Sequence, residues 1–129
     1  MNSKEMGKLG EDIAAKYLQN KGYQILERNF PRKVSRFLKS EIDVIVKKGD
    51  IISFVEVKTS KENPSFFPEE KVNFKKKRKL IRSAESWLLK RKIPLDSKWQ
   101  IDIIAIEIDL QSKKPKISHF ENVLSSEVI

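Results

Sequence analysis

Apolar residues recur along this chain with two different periods. Between Ser3 and Lys21, Met6, Leu9, Ile13, Tyr17 and Leu18 fall at three- and four-residue steps, the spacing that lines one face of a helix. Asn2 or Ser3 can cap its start, and Gly22 suits the left-handed position just past its end. Tyr23 to Phe30 then reads as a strand stopped by Pro31, and residues 31–40, which have no clean period, read as a basic loop. From Glu41 to Lys47 the period is two, with Ile42, Val44 and Val46 on one side and Asp43 and Ile45 on the other. Gly49-Asp50 supplies a turn and Ile51 to Lys58 the partner strand, so a hairpin is predicted here.

Thr59 to Glu70, with Asn63-Pro64, Pro68 and the pair Phe66-Phe67, reads as a loop. A helical period returns from about Asn73, placing Leu80, Ala84, Trp87 and Leu88 on one stripe that ends before Pro94. Trp99 to Ile108 is a long strand with Ile104, Ile106 and Ile108 opposed by Ile101 and Ile103. Two apolar faces place it inside a sheet rather than at an edge. A polar turn over Asp109 to Pro115 leads to a last strand, Lys116 to Phe120. The order α-β-β-β-α-β-β predicts an α/β fold, a mixed β-sheet flanked by helices.

The length of 129 residues fits one domain, residues 1–129. The absence of cysteine excludes disulfides, thiolate metal sites and cysteine nucleophiles together. The longest unbroken apolar run, Ile103 to Ile106, is far too short to span a membrane. No apolar stretch near Met1 resembles a signal peptide, so a cytoplasmic protein is expected. Neither a Walker loop nor a dinucleotide-binding glycine pattern is present.

Charge changes the picture more than composition does. The formal net charge is +9, and residues 71–92 carry 10 basic groups against one acidic, enough to supply the whole excess. The run Lys75-Lys76-Lys77-Arg78-Lys79, with Arg82 a turn further on, suits a polyanion such as DNA or RNA. A lysine-rich helix face that only aids solubility has the same composition.

The chemistry concentrates on the predicted hairpin. Asp43 lies on its first strand and Glu56-Val57-Lys58 at the end of its second, where alternation puts Glu56 and Lys58 on one face. Ionisable groups within apolar strands are costly without a partner, and a divalent metal is one such partner. Asp43, Glu56 and the Val57 carbonyl offer the hard oxygens that Mg²⁺ or Mn²⁺ takes. Lys58 could then position water or offset charge on phosphate, as phosphodiester hydrolysis requires. Outward-facing, solvated side chains on an exposed hairpin are the plain alternative. Gly7 and Gly10 lie inside the first helical period, where glycine costs about 1 kcal/mol against alanine, so either close approach or simple tolerance near the helix start accounts for them. The lone histidine, His119, and Asp102 read first as structural residues, with Asp102 either a buried acid or a partner of a lysine. Trp87 and Trp99 read as core, while Phe66 and Phe67 could stack on a base or pack over the core.

Taken in order, these residues resemble a family. Gly7-x-x-Gly10-Glu11-x-x-Ala14 with Tyr17-Leu18, Gly22-Tyr23-x-Ile25, Arg28-Asn29-Phe30, Glu41-Ile42-Asp43, Phe54-Val55-Glu56-Val57-Lys58-Thr59, Asp102 and Ile117-x-His119-Phe120-x-Asn122 are similar to the bacterial YraN-like proteins. The resemblance spans nearly the whole chain. It implies the restriction-endonuclease-like fold, a likeness to Holliday-junction resolvases and an Asp…Glu-x-Lys nuclease core, for a family whose cellular role is uncharacterised. Carried over, it makes Asp43 and Glu56 metal ligands and Lys58 the catalytic lysine, with Glu11 approaching from the first helix. Glu41 is a second-tier site residue, and the family's lysine in the second helix corresponds best to Lys76, with Lys75 and Lys77 as alternatives. The implied partner is DNA, branched or otherwise structured DNA included, with RNA and a homodimer left open. A non-catalytic nucleic-acid-binding module of the same fold is the alternative. Ser40 and Ser60 depart from the glycine and arginine usual in the family, which bears on the substrate groove more than on the metal ligands.

Overall fold

A computed structural model describes residues 2–31, 42–61, 74–109, 111–112 and 114–124, with only the backbone described over residues 74–77. The elements are α1 (Ser3–Asn20), β1 (Gln24–Phe30), β2 (Ile42–Lys48), β3 (Ile51–Lys61), α2 (Phe74–Lys90), β4 (Trp99–Ile108) and β5 (Pro115–Phe120). Their order is the predicted α-β-β-β-α-β-β. Asn2 is the cap that α1 uses, its side-chain oxygen accepting from the Glu5 N–H at 2.8 Å. Gly22 takes φ +93° beyond the helix end and Gly49 φ +63° at the hairpin turn, both in the left-handed region that favours glycine.

The five strands lie side by side in chain order. β1, β2 and β3 form an antiparallel meander, β3 and β4 pair in parallel, and β4 and β5 are antiparallel. α2 is the crossover between the two parallel strands, as such a connection requires. β4 is flanked on both sides by strands, which explains its two apolar faces.

Each sheet face has its own core. α1 sets Met6, Ala14 and Leu18 against Val44, Val46, Val55, Ile104 and Ile106. α2 sets Leu80, Ala84, Trp87 and Leu88 against Ile45, Phe54, Ile101 and Ile103 on the other face. Trp87 is a core residue, its ring edge-on to Phe54 at 5.6 Å, and Trp99 also packs edge-on with Phe54, at 5.7 Å. Arg28 joins Asp12 of α1 at 2.7 Å, while Glu27 receives the Trp87 indole N–H at 3.0 Å and Arg91 at 3.2 Å. β1 is thereby tied to both helices.

Three expectations need correction. β3 runs on to Lys61, through residues read as loop, because Thr59, Ser60 and Lys61 pair with Ile106, Glu107 and Ile108 of β4. That partner is remote in sequence and leaves no local signal. β5 begins at Pro115, one residue early, opposite Ile108. Ile42 belongs to the α2-side core rather than with Val44 and Val46, since it lies at the start of β2 beside Phe30 of β1. Glu41, Phe66 and Phe67 lie outside the described residues.

The two helix glycines differ. A Cβ on Gly7 would meet nothing within 4 Å, whereas one on Gly10 would overlap Thr59 Oγ1 and come within 2.9 Å of Thr59 Cβ. α1 therefore crosses β3 at Gly10, and close approach accounts for this glycine alone. Gly10→Ala is expected to lose about 1–2 kcal/mol, overpacking outweighing the better helix propensity of alanine. Gly7→Ala should gain up to about 1 kcal/mol. Urea unfolding of the two variants beside the parent checks the opposite signs.

Candidate functional site

The site forms where β2 and β3 part. Their ladder ends at Val44 opposite Val55, and extending that register by one residue sets Asp43 opposite Glu56. Beyond this point, among the described residues, β3 pairs with β4 alone. Backbone groups on the β2 side of Val57 must find another acceptor. Asp43 provides it, Oδ2 accepting the Val57 N–H at 2.7 Å. Within a strand a residue's N–H and C=O point to the same neighbour, so the Val57 carbonyl also faces the β2 side, toward Asp43.

Alternation places Asp43 with Ile45, and Glu56 and Lys58 with Phe54, all on the face that α2 covers. Glu56 is buried, 8% exposed, and its Oε1 lies 3.3 Å from Lys58 Nζ. Burial pushes the Asp43 carboxyl up to about 7, against the Val57 hydrogen bond that lowers it. The charges of Glu11 and Glu56 raise it further and Lys58 lowers it. Asp43 therefore feels three other residues singled out in the sequence, Glu11, Glu56 and Lys58. Glu11 reaches it from α1, which lies on the opposite face but crosses β3 at Gly10 and Thr59, beside Lys58.

This donor set suits a dication. Asp43 feels the charges of two further carboxylates and one lysine, and burial with its like-charged neighbours holds it partly neutral. Hard carboxylate and carbonyl oxygens at the open end of a ladder are the ligands Mg²⁺ accepts, alongside water and substrate phosphate.

The raised Asp43 carboxyl also makes a stability prediction. The folded protein holds this proton up to about pH 7, whereas the unfolded chain loses it near 3.8. The stabilisation is full below the lower value and is lost as pH rises through the upper one. Asp43→Asn is neutral throughout and still accepts the Val57 N–H. In metal-free buffer it should gain on the parent with rising pH, from no advantage near pH 4 to about 1–3 kcal/mol at pH 8. Thermal unfolding of both proteins across that range measures it.

Arg78, Lys79 and Arg82 are exposed on α2, the helix over the same sheet face. Lys75, Lys76 and Lys77 lie in its first turn, with side chains outside the described residues, and Glu41 cannot be placed with the others for the same reason. His119 and Asp102 belong elsewhere. They share the α1 face with Ile104, and Asp102, read as a buried acid or a lysine partner, is the buried acid, bonded to His119 Nε2 at 2.9 Å. Glu121, which joins that pair, carried no signal in the sequence and Tyr23 only its place in the family motif, because β5 and the end of α1 meet only in the folded chain. No helix among the described residues is long and apolar enough to cross a membrane.

Comparison with known proteins agrees with the motif order. The model of the uncharacterised protein family UPF0102 matches residues 10–106. A UPF0102 protein of Alkaliphilus oremlandii is 40% identical over 120 residues, covering 93% of this chain and 97% of its own length. Another from Persephonella marina is 46% identical over 100 residues, covering 78% of this chain and 81% of its own. A third, from Clostridium tetani, is 46% identical over 95 residues, covering 72% and 74%. The match takes in Glu11, Asp43, Glu56, Lys58 and Asp102, and on that footing the chain belongs to the uncharacterised protein family UPF0102, the family of the YraN-like proteins.

Proposed function

We propose that this protein is a metal-dependent nuclease that binds DNA and hydrolyses phosphodiester bonds, branched or otherwise structured DNA included. The observation that carries this reading is the coupling of Asp43 to Glu11, Glu56 and Lys58 at the point where β2 and β3 separate. Asp43 meets the Val57 N–H, and placing the buried Glu56 beside it sets two like charges together, which costs stability. A hydrolytic site needs them.

Asp43, Glu56 and the Val57 carbonyl would hold Mg²⁺ or Mn²⁺. When bound, such an ion polarises the phosphoryl oxygen and lowers the pKa of a bound water. Lys58, held beside Glu56 at 3.3 Å, orients the attacking water and offsets charge as the phosphorus–oxygen bond to the leaving group breaks. Glu11 accepts a proton from that water or fixes its direction. Arg78, Lys79 and Arg82, with the lysines of the first turn of α2, neutralise backbone phosphates and make binding strongly salt-dependent. The compartment is the cytoplasm, and cutting two strands of a symmetric substrate would draw on a homodimer.

The test incubates the protein with linear duplex, single-stranded and four-way-junction DNA, and with RNA, in Mg²⁺, Mn²⁺ or EDTA. Metal-dependent cutting of any of these DNA substrates supports the proposal. Salt-sensitive binding without cutting on any substrate would replace it with a binding module of the same fold. No binding at low salt would overturn both.

A further inference from the structure

A second constellation lies on the other face of the sheet, at the meeting of β4, β5 and the α1–β1 corner. Asp102 is fully buried, and its carboxylate is fixed from three directions. Oδ1 accepts from Gln100 Nε2 at 3.0 Å and from the Asn122 N–H at 3.0 Å, while Oδ2 lies 2.9 Å from His119 Nε2. Glu121 is exposed, and one of its oxygens lies with the Asp102 and His119 ligand atoms inside a 4.8 Å span. Tyr23 Oη donates to Glu121 Oε1 at 3.3 Å. The Tyr17 and Tyr23 rings flank the imidazole at 5.8 and 6.2 Å, and Lys21 and Lys48 stand over those rings.

We infer that Asp102, His119 and Glu121 form a binding site for a borderline divalent metal ion such as Zn²⁺, separate from the carboxylate site at Asp43. One imidazole nitrogen with two carboxylate oxygens is a donor set for zinc rather than for magnesium, which favours oxygen alone. Tetrahedral ligands with bonds of about 2.0–2.1 Å stand about 3.3–3.4 Å apart, so Asp102 Oδ2 and His119 Nε2, hydrogen-bonded at 2.9 Å, need part only slightly to take an ion between them. The outer contacts have the form found around metal ligands. Gln100 and the Asn122 N–H orient the first carboxylate and Tyr23 the second, while aromatic rings enclose the imidazole. The ion takes the place of the hydrogen bond between His119 Nε2 and Asp102 Oδ2, with the imidazole in its Nδ1–H tautomer. Bound there, it ties the last strand to β4.

This inference does not rest on nuclease activity. His119 is the only histidine of the chain, so its imidazole resonances report on the site alone. Full-length protein stripped with chelator is titrated with Zn²⁺ and with Mg²⁺ by calorimetry and NMR, beside Asp43→Asn, Glu121→Gln and His119→Gln. The expected result is one Zn²⁺ per chain in the parent and in Asp43→Asn, with the His119 signals shifted. Affinity should fall at least 10-fold in Glu121→Gln and at least 100-fold in His119→Gln, and Mg²⁺ should leave the His119 signals in place. Glu121 is exposed, so Glu121→Gln keeps the metal-free unfolding temperature and separates ligand loss from misfolding. The inference is overturned if Zn²⁺ up to millimolar leaves the His119 signals unmoved, if Glu121→Gln binds as tightly as the parent, or if binding is lost with Asp43→Asn.

Discussion

Asp43→Asn and Lys58→Ala should each lower the rate of Mg²⁺-dependent DNA cutting by at least about 100-fold while leaving DNA affinity within about threefold. Asparagine keeps the hydrogen bond from the Val57 N–H but brings no negative charge to the metal. A lost ligand or a lost charge-stabilising group at a phosphoryl centre costs roughly 10²–10³ in rate. Lys58→Ala removes the cation 3.3 Å from Glu56 and leaves the three carboxylates in place, so Mg²⁺ binding should persist while turnover falls. Affinity is spared because phosphate contacts by the basic helix dominate it. Single-turnover cleavage and fluorescence anisotropy on the same junction separate the two quantities. Equal losses of rate and affinity would mean that these residues hold DNA rather than act on it.

Asp102→Ala should be the most destabilising single change among the described residues. The carboxylate is 0% exposed and satisfies donors from Gln100, Asn122 and His119. Its removal leaves those groups without their acceptor around a buried position of β4. Each stranded polar group costs about 1–3 kcal/mol, so the sum is roughly 3–5 kcal/mol, or about 10–20 °C in the unfolding midpoint of a chain this size. Asp102→Asn retains an oxygen for the Asn122 N–H and should lose about half as much. Differential scanning calorimetry of both variants with chelator present gives the comparison; a loss below about 1 kcal/mol in Asp102→Ala would show the network to be dispensable.

The carboxylates of the hairpin were legible before folding because the contacts that assemble them are local. Gly49-Asp50 fixes the turn, the turn fixes the register, and alternation then sets Asp43, Glu56 and Lys58 on one face. Glu11 needed the family resemblance, since nothing local says where a helix lies over a sheet. Gly10 was visible as an anomaly, but only the crossing of α1 over Thr59 distinguishes it from Gly7. The Asp102 cluster was not legible as a unit. Tyr23 and Glu121 stand 98 positions apart and meet through the β4–β5 register and the turn that follows α1.

By itself, then, the sequence determined what short-range physics can determine. It determined the order of the elements from hydrophobic period, the caps and turns from Asn2, Gly22 and Gly49, and the hairpin that carries Asp43 and Glu56-Val57-Lys58. It also located the charge excess in one helix. Tertiary structure alone decided that β3 continues to Lys61, since only its parallel pairing with β4 satisfies that backbone. It alone decided that Asp43 sits where burial and Glu11 and Glu56 hold its proton up to about 7. Desolvation and the field of remote charges depend on everything packed around a group, and no window of sequence contains them.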